Sequence, residues 1–293
     1  MLGVTPEPAP HDLDLDIDPD HPVVDVAWLA ARIGAPGLLV LDASIPPYGP
    51  ARVRIPGARR FDLEGGMSDH TASLPHTMVD PEAFEAEARR LGARESGVVV
   101  LYDTADLFSA ARAWWMFRAM GFTQVAVLAG GIAAWANAGG TVEPWPADEA
   151  TRDDGGDFVA RPRPGLIVDA DHVADALARD DVQVIDARSA QRFAGGAGEP
   201  RAGMRAGHMP GAVNLFFGDL QEQGRLLPVA ELREKVAAAA DGRESLVFTC
   251  GSGITACVDA LAAHVAGYRD LAVYDGSWSE WGAADSGRPV VSG

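Results

Sequence analysis

Cys250 stands at the end of the apolar run "SLVFT", directly before Gly251, Ser252 and Gly253. A cysteine does nucleophilic chemistry as its thiolate, and a thiolate needs donors around it. Glycines accept backbone angles that let successive N–H groups turn inward around an anion. A helix expected to begin near Ile254–Thr255 would aim its positive end at the same point. The stretch therefore predicts a thiolate in an amide cradle. Taken singly, Cys250 also fits an inert, small, buried hydrophobe, and the residues alone leave both readings open.

The elements that must position this loop are legible as a repeat. "LLVLDAS" (38–44) has a counterpart in "VQVIDAR" (182–188), and "RIPGAR" (54–59) in "HMPGAV" (208–213). "GVVVLYD" (97–103) pairs with "ESLVFTC" (244–250), and "VAVLAGGIAAW" (125–135) with "LAVYDGSWSEW" (271–281), all in one order at nearly constant offset. This is a duplicated domain. In the first copy the position of Cys250 is held by Asp103, with no thiol and no Gly-x-Gly. Short apolar runs alternate with Ala-rich helical stretches such as "PEAFEAEARRLG" and "VAELREKVAAAA", which predicts the α/β class with mainly parallel sheets flanked by crossover helices. In open sheets of that kind, ligands bind beyond the carboxyl ends of strands, which is where Cys250 falls.

The reading divides the chain into an acidic, flexible N-terminal arm (1–20), a first domain (21–140), a linker rich in Gly, Pro and Asp (141–165) and a second domain (166–293). At 293 residues with 47% hydrophobic content, both copies can bury a core. A net charge of −18 opposes nucleic acids and anionic membrane surfaces, so neither is expected as a partner. With no apolar stretch of membrane-spanning length, no basic and apolar start, and two cysteines spaced unlike a disulfide framework, the expected location is cytoplasmic.

The plan resembles the tandem-domain rhodanese family of sulfurtransferases over about residues 22 to 293. The loop "CGSGITAC" closely resembles that of 3-mercaptopyruvate sulfurtransferases, which read CG(S/T)GVTAC. Thiosulfate-preferring rhodaneses usually carry basic residues after the cysteine, where this chain has Gly251 and Ser252. "SDHTASLPH", "SAARAWWMFRAMGF", "GHMPGAVN" and "YDGSWSEW" extend the similarity. The resemblance implies that Cys250 takes sulfur from 3-mercaptopyruvate as a persulfide, releases pyruvate and passes the sulfur to a thiol acceptor such as thioredoxin, or to cyanide. No cofactor is implied. It implies Arg192 and Arg201 as grips on the substrate carboxylate, a role suited to forked guanidinium donors. It further implies a proton relay of Ser252, His76 and Asp62, the last two from the first copy.

Each of these has a plainer reading: Ser252 as a helix cap, His76 as a loop histidine, Asp62 as a surface carboxylate, the arginines as solvated loop residues. Gly251, Gly253, Ile254 and Thr255 are expected to contact the substrate, the glycines through backbone donors, Ile254 where valine is usual, and Thr255 by capping the helix or hydrogen bonding in the loop. Cys257 is read as core packing, and Trp114, Trp115, Trp278 and Trp281 as packing within or between domains, with Trp281 a candidate for the pocket wall. Arg188, Arg205 and Arg163 receive no role. Two further departures from the family spelling are Arg54 in "RIPGA", expected to alter a structural contact, and "AGGAGEPR" around Arg201.

Rival chemistries fare worse. The histidine and cysteine spacing matches no metal site, and no Gly-x-x-x-x-Gly-Lys phosphate loop occurs. A cysteine phosphatase needs an arginine closing the loop six positions on, where Ala256 stands. The alternatives retained are a thiosulfate:cyanide sulfurtransferase and, third, a non-catalytic sulfur carrier loaded by partner proteins.

Overall fold

The computed structural model describes residues 15–46, 52–104 and 107–293. The first copy contains, in order, β1 (Val23–Val24), α1 (Val26–Ala30), β2 (Leu38–Asp42), β3 (Val53–Arg54), β4 (Arg59–Arg60), α2 (Pro81–Arg90), β5 (Val98–Tyr102), α3 (Ala110–Ala119), β6 (Val125–Leu128) and α4 (Gly131–Asn137), followed by β7 (Glu143–Pro144). The second contains β8 (Ile167–Val168), α5 (Ala170–Leu177), β9 (Val182–Asp186), α6 (Ala190–Phe193) and β10 (Val213–Asn214). After a short 3-10 turn come β11 (Gln221–Glu222), β12 (Arg225–Leu226), α7 (Val229–Ala240), β13 (Ser245–Thr249), α8 (Ala256–Ala266), β14 (Asp270–Tyr274) and α9 (Ser277–Trp281).

The two main sheets run β1-β6-β5-β2-β4 and β8-β14-β13-β9-β10, with every pairing parallel. Strand for strand they are the same sheet, which is how the repeat in the sequence is realised. The interior strands β5 and β9 are buried along their whole length, as parallel strands covered by helices on both faces must be. Helix α8, "ACVDALAAHVA", is apolar nearly all round and every residue of it is buried. It packs against α3 of the first copy, and one continuous apolar cluster runs through both domains, from Leu41 and Phe117 to Leu261 and Val273.

Two stretches expected to be loose are tied down. Residues 1–14 of the expected flexible arm lie outside the described residues, but its end is packed. Ile17 is buried, its N–H donates to Gln124 Oε1, and the Pro19 carbonyl accepts from His264 Nε2 at 2.6 Å. The linker is strapped to the first domain through β7, which pairs with β3, and through acids that engage two buried arginines. Arg54 meets Glu143 and Glu149, and Arg59 meets Glu149 and Asp154, so the departure at Arg54 does make a structural contact. Buried guanidinium groups require such acids as partners.

Burial beside Trp114, whose ring lies 5.6 Å away, pushes His264 down to about 4. Between pH 6.5 and 4 the unfolded chain therefore binds a proton that the folded chain refuses, and stability falls as pH drops through that window. The expected loss is about 2 kcal/mol, with His264→Gln flattening the profile; urea titrations at pH 7 and pH 4.5 check it.

Candidate active site

Cys250 follows Thr249, the last residue of β13, and is 2% exposed. The loop behind it is held from outside. Ser277 Oγ accepts the amides of both Cys250 and Gly253 at 3.1 Å and donates to the Tyr274 carbonyl. Ser279 binds the Gly251 carbonyl through its amide and its hydroxyl. With those two amides engaged, the N–H groups of Gly251, Ser252, Ile254 and Thr255 donate to no protein acceptor among the described residues. All four residues line one cavity of about 410 Å³ together with Cys250. Unclaimed amides on residues that line one cavity with a thiol are the donors an anion-binding concavity needs.

The first copy shows what such a cradle does. Asp103, at the position of Cys250, accepts the amides of Leu107, Ser109 and Ala110 at 3.2, 2.8 and 2.8 Å. There the nest is filled by the protein's own carboxylate.

The cavity lies between the domains, with Ile45, Pro46, His76 and Phe108 contributed by the first. His76 Nδ1 accepts from the Ser252 hydroxyl at 3.0 Å. Its Nε2 donates to Glu64 Oε1 at 2.6 Å, so the structure gives Glu64 and not Asp62 as the acid on the imidazole. Asp62 instead accepts the Glu64 amide at 3.2 Å, an Asx-type turn that aims the later carboxylate. Burial holds His76 below its ordinary value against the opposing pull of Glu64, so the ring is neutral at pH 7 and able to accept a proton. Its φ of 60° is strained for a non-glycine residue.

Arg192 and Arg201 both reach the loop. A methyl at Gly251 would sit 3.3 Å from Arg192 Nη2 and 3.9 Å from Arg201 Nη1, and Arg201 Nη2 also donates to Ser252 Oγ at 3.5 Å. Glu199 binds one edge of Arg192 and, at 2.8 Å, Arg188. Arg188, given no role by the sequence, lines the cavity while fully buried, chelated by Asp186 and resting 4.1 Å over the Trp278 ring. Its signal was the Asp-x-Arg spacing at the end of β9. Glu199 itself was hidden in a loop with no periodicity.

Several expectations need correction. Thr255 lines the cavity, but as the N-cap it makes no side-chain cap bond, and Gly253, expected as a backbone donor to the substrate, has its amide taken by Ser277 Oγ and does not line the cavity. Trp281 is buried, donates to the Pro289 carbonyl, and is not part of the cavity wall. Cys257 packs in the core with its thiol donating to the Gly253 carbonyl at 3.3 Å, and burial pushes it up to about 12. Both cysteines are free. Among the described residues no His, Cys, Asp and Glu cluster could hold a metal, and no helix is long and apolar enough to cross a membrane.

The sequence pattern of the Rhodanese-like domain matches residues 25–138 and 169–284, one match to each sheet. The chain belongs to the rhodanese family. Among curated relatives, this rhodanese is 37% identical over 274 residues to the 3-mercaptopyruvate sulfurtransferase of Escherichia coli K12, covering 89% of this chain and 94% of that one. It is 38% identical over 280 residues to the human 3-mercaptopyruvate sulfurtransferase, covering 88% and 91%. The "Thiosulfate/3-mercaptopyruvate sulfurtransferase 1, mitochondrial" of Arabidopsis thaliana is 36% identical over 305 residues, with 94% and 79% covered. The crystal structure of SseA from Escherichia coli superposes with a TM-score of 0.76 at 33% identity, over 89% of this chain and all of that one.

Proposed function

We propose that this rhodanese is a sulfurtransferase whose preferred donor is 3-mercaptopyruvate. The observation that carries the reading is the meeting of Cys250, four unclaimed amides and the Ser252–His76–Glu64 chain in one cavity. The Cys250 thiolate attacks the substrate sulfur, and the C–S bond breaks with its electron pair passing to the carbon beside the ketone. The thiol proton moves through Ser252 and His76 to that carbon, giving pyruvate and a Cys250 persulfide. An acceptor thiolate then attacks the outer sulfur and the Cys250 thiolate is regenerated, so the kinetics are ping-pong. Arg192 and Arg201 hold the keto acid's carboxylate.

Thiosulfate remains the second donor, because it is an anion of similar reach and sulfite leaves without needing a proton. The deciding experiment compares kcat/KM for the two donors with cyanide and a dithiol as acceptors, while intact mass follows the added sulfur. Preference for 3-mercaptopyruvate supports the proposal, and preference for thiosulfate moves the chain to the other branch of the same chemistry. A stable added sulfur without turnover identifies a carrier. Arg192→Ala is expected to raise KM for 3-mercaptopyruvate about 10- to 100-fold with kcat changed far less, since one charge-assisted grip is worth about 1.5–3 kcal/mol. The same steady-state assay reads it. The thiol acceptor is a small dithiol or a protein of the thioredoxin kind, and the site of action is the cytoplasm.

A further inference from the structure

Arg112 is a charged residue in the first turn of the apolar helix α3, belongs to the copy without a nucleophile, and is completely buried. Its guanidinium spans the domain boundary. Nη2 donates to Asp275 Oδ1 at 2.6 Å and to the His76 carbonyl at 3.0 Å, while Nη1 donates to the Gly253 carbonyl at 3.4 Å. Asp275 closes the bracket from the second domain by accepting the Met78 amide at 2.9 Å through Oδ2. One side chain thus grips the backbone of the candidate base and the backbone of the nucleophile loop.

Both grips have geometric consequences. A trans peptide is planar, so the Gly253 carbonyl and the Ile254 N–H point in opposite directions. Drawing that carbonyl toward Arg112, with the Cys257 thiol assisting, turns the Ile254 amide the other way, as a cradle donor must be turned. Gly253 has a φ of 75°, and an added Cβ would lie 3.4 Å from Arg112 Nη1 and 2.8 Å from the Asp275 carbonyl, so the loop is closed down on the bracket. His76 keeps its φ of 60° with its carbonyl bound to the same guanidinium.

We infer that Arg112 is a positioning residue, contributed by the first domain, that sets the Cys250 cradle and the His76 imidazole in register. The inference rests on the sulfurtransferase reading above and assigns Arg112 no contact with substrate. It gives the first copy a function within the site besides supplying His76.

The test compares wild type with Arg112→Lys, which keeps the charge but loses the fork, and Arg112→Gln, which loses both. Donors are 3-mercaptopyruvate and thiosulfate, and kcat, KM, the pH profile and Tm are measured. Both variants are expected to lower kcat with 3-mercaptopyruvate about 100-fold, with KM within about threefold, because misplaced groups slow chemistry more than they weaken binding. Thiosulfate, which needs the cradle but no proton transfer, is expected to lose only about tenfold.

The charged groups that bear on His76 are Glu64, Arg201 and Arg112. Removing the Arg112 cation therefore moves the acidic limb of the 3-mercaptopyruvate profile to higher pH in Arg112→Gln but not in Arg112→Lys. Unchanged kcat in a folded variant overturns the inference, as does an equal loss with both donors and an unmoved limb, which is the signature of a folding role. Should the arginine variants unfold, Asp275→Asn loosens the same bracket at conserved shape, and a wild-type kcat there overturns the inference equally. Failure of the wild type to accept sulfur from either donor is a different result, because it removes the functional reading and leaves the bracket untouched.

Discussion

Cys250→Ser is expected to reduce pyruvate release from 3-mercaptopyruvate by about 10⁴-fold or more, and sulfite release from thiosulfate equally. The replacement is nearly isosteric, and the loop is held by bonds from Ser277 and Ser279 to its backbone, so the fold should persist. A hydroxyl in the same cradle remains protonated and cannot carry sulfane sulfur. Steady-state assays and intact mass check both halves, since the variant must show no turnover and no added sulfur. Cys257 offers no substitute, being buried, held on the Gly253 carbonyl and kept as a thiol. Residual turnover at a tenth of wild type would end the persulfide mechanism.

The second large effect separates the two donors. His76→Gln is expected to lower kcat with 3-mercaptopyruvate about 10²- to 10³-fold, the usual contribution of a positioned acid/base, and to leave thiosulfate within about threefold. The asymmetry follows from the leaving groups: the keto-acid carbon must gain a proton, whereas sulfite departs as it is. Glu64→Gln should give a smaller loss of about tenfold, because that carboxylate is 47% exposed and partly screened by water. Asp62→Asn should change kcat by less than about twofold. For the wild type, burial holds His76 below its ordinary value, so kcat/KM stays flat from pH 8 downward and falls only as the ring gains its proton on the acidic side. Equal losses with both donors in His76→Gln would show that the histidine shapes the pocket without moving a proton.

The sequence carried the architecture because duplication wrote each strand twice, and "SLVFTCGSG" announces a strand end followed by a turn that only a few backbone conformations satisfy. Cys250 was legible from that turn, whereas Ser252, His76, Arg192 and Arg201 were legible only through the resemblance to the rhodanese family. The acid of the proton chain was not. "FDLE" offers two carboxylates two residues apart, and their roles depend on which way the turn carries each side chain, a property of the folded loop. Arg112 was hidden because a buried cation declares itself only through its partners, and Asp275 lies far along the chain, whereas Arg188 has its partner Asp186 two residues away. The local hint of Arg112 was a charge in the first turn of "SAARAWWMFRA", a helix too apolar to face water. Thr255 misled through its residue type: it stands at the N-cap with helical backbone angles, φ −74° and ψ −18°, and its hydroxyl makes no cap bond.

Asp103 fixes a stoichiometry. A duplication offers two sites, but the first copy has a carboxylate where the second has its thiol, and that carboxylate takes three amides for itself. With no thiol at that position and Cys257 buried and kept as a thiol, the sulfurtransferase reading gives each chain one sulfur-carrying residue, Cys250. The same self-ligation anchors the start of α3, the helix that delivers Arg112, so restoring a thiol at position 103 would free an anion site and at the same time loosen the working one. The thiol comes from the second copy and His76, Glu64 and Arg112 from the first, so the two domains do not divide into separately active units.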